Sequence, residues 1–411
     1  MSNNALPVSS DERSEILDIL RGFALFGVML DNLFGFTGWG FLPPDTKQAL
    51  PTWTADAITG TLEQVFINGK FYSLFSLLFG VGFSIILERN LQRGINPLRV
   101  FYRRLFILLG IGAGHLFLLW EGDILFLYAL IGFSLPLFRH LRDRTLLLLA
   151  GILILSPLVF DGFSILFQYK NGAWLEAKAM AVDKKTGLGD NPAFYEYLYK
   201  EGAGWAEWRN WQQSGYLYRY SYILDTNRIP KVLGMFLIGF YAGRKMIYLK
   251  LNEYIHVFKW LRRWGLVIGI PAAGACFYFE MFRPHIPDPW GILHTLFYAV
   301  SVVPLCLAYV SIICLRWNRK KGRSRLRWLA PMGRMALTNY LMQTLVGIFV
   351  YYGVGLGLGG NIGPAVFVPA GICVYGIQVL YSHYWFRYFR FGPMEWIWRM
   401  LTYGKTFRLK K

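Results

Sequence analysis

His115, in the segment GAGHLFLLWEGDIL, is followed six and eight residues later by two carboxylates, Glu121 and Asp123. A carboxylate that holds one imidazole nitrogen leaves the other free for a substrate hydroxyl, which is the arrangement of a general base. The plainer reading is a histidine satisfied by hydrogen bonds between packed helices. A second group of reactive side chains lies in LDILRGFALFGVMLDN, with Asp18 and Arg21 at one end and Asp31 and Asn32 near the other. Eleven residues separate Arg21 from Asn32, close to three helical turns, so both project from nearly the same face roughly 16 Å apart. Asp31 lies about 100° round the helix from Asn32. Its carboxyl could serve as a base, and Asn32 could donate to a developing oxyanion.

The elements that carry these groups are membrane spans. The chain has 411 residues, 55% hydrophobic and 18% aromatic, and only 16% charged. That composition fits an all-α polytopic membrane protein and not a soluble domain. The net charge of +19 is read by location, as basic loops facing anionic lipid and not as a nucleic-acid surface. Apolar windows predict about ten transmembrane helices, near 17–37, 66–87, 103–120, 124–138, 145–167, 229–248, 262–282, 291–315, 330–355 and 363–386. Arginine and lysine crowd alternate connections and the tail, which predicts that both termini are cytoplasmic. The polar N-terminus lacks the pattern of a cleaved signal, so the first span is expected to be retained. Cys276, Cys306, Cys314 and Cys373 lie in apolar segments without metal-ligand spacing, and no metal is expected.

Three parts follow within a single transmembrane domain: a five-span half at 1–167, an aromatic-rich extracytoplasmic excursion at 168–228, and a five-span half at 229–411 with a basic tail. The excursion holds Trp174, Phe194, Tyr195, Tyr197, Tyr199, Trp205, Trp208, Trp211, Tyr216, Tyr218, Tyr220 and Tyr222, either as a lid or sugar platform or as anchors at the headgroup layer. On this topology the outer cluster contains Asp31, Asn32, Glu63, Asn68, Lys70, His115, Glu121, Asp123 and His294. His115, Asp31 and Asp123 are the catalytic candidates, and the others are candidates to bind substrate, with Lys70 a second oxyanion donor. The inner cluster contains Asp18, Arg21, Arg103, Arg104, Arg334, Asn339 and His383, with Glu395 and Arg399 of GPMEWIWR just beyond, and its arginines are suited to the phosphates of a cytoplasmic donor such as acyl-coenzyme A. Arg334 stands out among them, because it opens an apolar stretch beside Gly333. Anchoring to lipid accounts equally well for most of the arginines.

Several segments together carry a resemblance: LDILRGFALFGVMLDN, KFYSLFSLLFGVGF, RRLFILLGIGAGHLFLLWEGDILFLYAL, GMFLIGFYAGR, GRMALTNYLMQ and FGPMEWIWRMLTYG. The chain resembles the YeiB-like family of bacterial membrane proteins, whose C-terminal half is domain of unknown function 418. The match runs over nearly the whole chain outside 39–60 and 168–228, and implies a bacterial inner-membrane location. The LDxxRG start is more distantly similar to the membrane acyltransferase-3 superfamily. That likeness implies an acyltransferase-3-like bundle and transfer of an acyl group from a cytoplasmic donor to an extracytoplasmic sugar or other acceptor. In that superfamily a histidine follows the first-helix arginine after ten residues; here the position is Asn32, and an amide cannot act as a base. Asp31 or His115 would have to supply the base instead.

The leading expectation is therefore an inner-membrane acyltransferase-like protein acting on a sugar or lipid-linked acceptor. No cofactor is expected beyond the acyl donor, which is a substrate. The alternatives are a transporter or exporter, using Asp31, His115 and Lys70 to bind solute or protons, and a non-catalytic lipid-binding protein. Membrane lipids are the expected partners, nucleic acid is not, and a homo-oligomer is compatible with the sequence.

Overall fold

The computed structural model describes residues 14–188, 198–199 and 202–411. Phe194, Tyr195 and Tyr197 lie outside these residues. Among the described residues regular structure is helical, apart from an isolated bridge between Phe389 and Lys410. The principal helices are α1 (Glu15–Phe36), α2 (Trp53–Phe66), α3 (Lys70–Gln92), α4 (Pro97–Leu118), α5 (Leu125–Gly132), α6 (Asp143–Phe167), α7 (Ala173–Thr186) and α8 (Trp205–Asp225). The chain continues through α9 (Arg228–Arg244), α10 (Ile255–Phe282), α11 (Gly291–Trp317), α12 (Ala330–Arg334), α13 (Ala336–Tyr351), α14 (Pro364–Tyr388) and α15 (Pro393–Tyr403).

The protein is a helical membrane protein. Among the described residues seven helices are long and apolar enough to cross a bilayer: α1, the broken helix Trp53–Gln92 formed by α2 and α3, α4, α6, α10, α11 and α14. The other three apolar windows take shorter forms. The 124–138 stretch stops as a helix at Gly132 and continues through a 3-10 turn containing Pro136. The 229–248 stretch is the 17-residue α9. The 330–355 stretch is interrupted at Met335, leaving α13 with 16 residues, about 24 Å at a rise of about 1.5 Å per residue.

Lipid tails are as apolar as leucine, so helices in a bilayer associate through close packing and not through hydrophobic collapse. Small residues set the closest approaches here. A Cβ on Gly333 would stand 1.8 Å from the Asp18 carbonyl oxygen, and one on Gly22 would stand 2.6 Å from that of Leu329. The same holds between α3 and α9, where a Cβ on Gly239 would meet the Leu77 carbonyl at 1.9 Å and one on Gly80 would meet that of Phe236 at 2.0 Å. Farther along, Gly347 of α13 receives the Phe36 ring, so α1 is followed first by α12 near its start and then by α13 at its end.

Candidate functional site

Two polar assemblies and one cavity lie along α1. The cavity, of about 400 Å³, begins where α1 begins. Arg21, Arg104, Arg334, Arg390 and Arg399 stand around that end. Its walls are apolar, among them Leu78, Phe79, Phe83, Leu105 and Leu108. Its far boundary is Val28, Ile124, Leu125, Tyr128 and Tyr340. From Ser14 to Val28 is fourteen residues of chain, about 21 Å along a helix. The Gly22–Gly333 contact is what brings Arg21 and Arg334 to one mouth. Asp18 is buried behind Arg21 and accepts its Nη1–H at 2.9 Å, which fixes the guanidinium. Arg334 lies 4.1 Å from the Phe386 ring centroid and Arg104 4.2 Å from that of Trp398.

The floor of the mouth is built by α15. The Glu395 carboxylate accepts from the Leu337 and Thr338 backbone N–H groups at 2.7 and 3.2 Å, and from the Thr338 hydroxyl at 2.6 Å. It thus caps the start of α13 from another element. Burial pushes its pKa above the usual carboxylate value, partly opposed by these bonds.

The first polar assembly is centred on His115, in the last turn of α4. The chain leaves the helix there, with the backbone N–H groups of Leu119 and Trp120 both donating to the His115 carbonyl. The tight turn that follows returns Asp123 over the imidazole. His115 Nδ1 and Asp123 Oδ2 are 2.7 Å apart, and Asp123 Oδ1 accepts the Phe126 N–H at the start of α5. His115 Nε2 lies 2.9 Å from the Thr344 hydroxyl of α13. All three side chains are 1% exposed. The second nitrogen is therefore occupied by a protein hydroxyl and is not vacant. Tyr340, one turn before Thr344, places its ring 5.2 Å from the imidazole and its other side on the cavity.

The second assembly gathers around Asp31. Asn68, in the break between α2 and α3, donates to Asp31 Oδ1 at 3.4 Å, and the Glu63 carboxyl lies in hydrogen-bonding reach of it. Lys70 is 3% exposed and donates to the Gln64 carbonyl at 2.8 Å. Tyr128 lines the cavity while its hydroxyl donates to the carbonyl of Tyr72, two residues after Lys70, and lies 2.7 Å from Ser76 Oγ. In the α4–α5 turn, burial pushes the Glu121 carboxyl above its usual pKa, against the pull of Trp211, Arg219 and His115.

The expected residues divide accordingly. The structure brings His115 and Asp123 together; it gathers Asp31, Glu63, Asn68 and Lys70 in a neighbouring group; and it puts Arg21, Arg104 and Arg334 on the cavity. Asn32 is half-buried and does not line the cavity. His294 pairs with Glu280 of α10 at 2.9 Å. Arg103 is exposed and packs near Gly404, outside the cavity. Asn339 is 1% exposed and donates to Met332 and Ser382, a packing role. Thr344, Tyr340, Tyr128, Arg219 and Arg228 also stand at these sites, and no sequence pattern marks them out. GRMALTNYLMQ does carry Tyr340 and stops one residue before Thr344, but nothing in that spacing announces a partner 229 residues away.

The family model described as "Protein of unknown function (DUF418)" matches residues 242–405. The chain is 32% identical to "Uncharacterized protein YxaH" of Bacillus subtilis, over 97% of this chain and 96% of that protein. It is 28% identical to "Uncharacterized protein YeiB" of Escherichia coli, over 95% and 96% respectively. No solved structure matches the chain.

Proposed function

The chain belongs to the DUF418 family, and from its geometry we propose that it is a membrane acyltransferase taking an anionic acyl donor, such as acyl-coenzyme A, at the arginine-ringed mouth. The observation that carries this reading is Tyr340, which is at once the far wall of the cavity and the neighbour of the His115 imidazole. The arginines hold the donor's phosphates, the shaft takes its pantetheine arm, and the thioester carbonyl arrives beside Tyr340. The likeness of LDILRG to the acyltransferase-3 start supports the same assignment, and the basic bias of alternate loops supports a cytoplasmic side for both termini and the mouth.

In this mechanism Asp123 holds the Nδ1–H of His115, and an acceptor hydroxyl displaces Thr344 at Nε2. His115 takes the hydroxyl proton as the oxygen attacks the acyl carbonyl. The new C–O ester bond forms, the C–S bond of the thioester breaks, and the departing thiolate receives the proton from His115.

The full-length protein in liposomes tests this. Free thiol released from acyl-coenzyme A of several chain lengths is measured, together with labelled acyl product. Release that is lost in a folded His115→Ala variant is expected. Absence of both coenzyme A binding and thiol release at every chain length would contradict the reading. The transporter reading rests on Asp31, Glu63 and Lys70 standing within the apolar helices. It predicts solute flux with no chemically altered product.

A further inference from the structure

Three basic side chains, Lys70, Arg219 and Arg228, stand within electrostatic reach of Asp31, and Lys231 lies beside Arg228 and in reach of Asp161; among the described residues none of the four has a carboxylate within 4 Å. Arg219 ends up on the α8 face that turns toward Asp31, and Arg228 and Lys231 occupy the first turn of α9. The two guanidinium groups share one aromatic ring. The centroid of Tyr222 is 5.8 Å from the Arg219 guanidinium carbon and 5.1 Å from that of Arg228, and Arg228 also lies 4.8 Å from the Tyr72 ring. The Nε–H of each arginine is buried without an acceptor. Two like charges held together with idle donors are costly, and an anion bound between them removes the cost. Tyr222 is 47% exposed, so the group has an open side.

The neighbouring acidic groups have the complementary chemistry. Asp31 is within electrostatic reach of both guanidiniums and of Lys70, and it lies beside Glu63 and Asn68. Carboxyl and amide oxygens accept from hydroxyl groups, which guanidiniums cannot do. Arg219 is also in electrostatic reach of Tyr340, the neighbour of His115. We infer that the arginine pair and Lys231 bind the phosphate of a polyol phosphate, whose hydroxyls face Asp31, Glu63 and Asn68. The inference names the acceptor class for the transfer proposed above and rests on that reading for its role, but the binding itself does not depend on transfer.

Binding is therefore measured without acyl donor, on the full-length protein in phosphatidylcholine nanodiscs. The soluble probe is glycerol phosphate, with glycerol as the control, and the lipid probe is phosphatidylglycerol mixed into the disc. Saturable binding of glycerol phosphate with none of glycerol is expected, weakened about tenfold or more in Arg219→Gln and Arg228→Gln. If binding is confined to phosphatidylglycerol and is weakened by the same variants, the phosphate belongs to a lipid headgroup and the inference also holds. Lys231→Gln serves where an arginine variant fails to fold, with a loss of several-fold expected. Binding of neither phosphate probe above its control, or binding that the folded variants leave unchanged, would overturn the inference. Phosphate binding without thiol release would leave this site standing and remove the transferase.

Discussion

At the scale of single residues, His115 is held from two sides, by Asp123 at Nδ1 and by Thr344 at Nε2. His115 and Asp123 are eight residues apart across a turn, and a short turn returns the chain on itself, so sequence alone suggested their meeting. Thr344 reaches Nε2 from the other half of the protein, and no local pattern encodes that contact. The two partners have different consequences on substitution. Asp123→Asn or His115→Ala should lower transfer by about a hundredfold or more, with insertion intact. Thr344→Val should keep transfer within a few-fold, because the acceptor displaces that hydroxyl, yet lower stability by about 1 kcal/mol for the lost buried bond. Both are read from thiol release and from thermal unfolding in detergent. Glu121 adds a pH signature. Its folded pKa lies above the usual value near about 4.3, so the folded protein holds the proton over a window where the unfolded chain has lost it. That contribution to stability is complete below the window and lost as pH rises through the folded pKa. Glu121→Gln should flatten the fall in unfolding temperature over that range, and an unchanged slope would exclude it as the source.

Among the elements, the contact that positions the mouth is backbone against backbone. Gly22 and Gly333 allow α1 and α12 to meet closely enough that Arg21 and Arg334 share a cavity. The sequence showed Gly333 beside Arg334, and the reason for it is the Asp18 carbonyl, which no periodicity reveals. Gly333→Ala should cost about 1–3 kcal/mol by overpacking and weaken donor binding even if the protein still inserts. A melting temperature and donor affinity equal to the parent protein's would show that the two helices can part freely. Glu395 acts at the same scale, capping α13 from α15. Glu395→Ala should cost about 1–2 kcal/mol, measurable by thermal unfolding, because two backbone donors lose their acceptor. Hydropathy located seven of the membrane-spanning helices well. It merged α12 with α13 and lengthened α5, because Pro136, Pro331 and the Met335 break interrupt helices without lowering the apolar character of the stretch.

For the whole molecule, the arrangement is a shaft with arginines at one end, two tyrosines across its floor, and a histidine and a cation-rich group beyond them. Composition and charge bias made the membrane class plain. The shaft was not legible, because its lining comes from α1, α3, α4, α5, α12, α13, α14 and α15, elements scattered along the whole chain. The same architecture suits a donor whose charged and reacting ends are far apart. A density map of the full-length protein with a non-hydrolysable thioether analogue of acyl-coenzyme A tests this central claim most directly. Phosphates against Arg21, Arg104 and Arg334, the pantetheine arm along the shaft, and the thioether beside Tyr340 and His115 are expected. A map at saturating analogue with the shaft empty of it, or with its reacting end away from His115, would contradict the account.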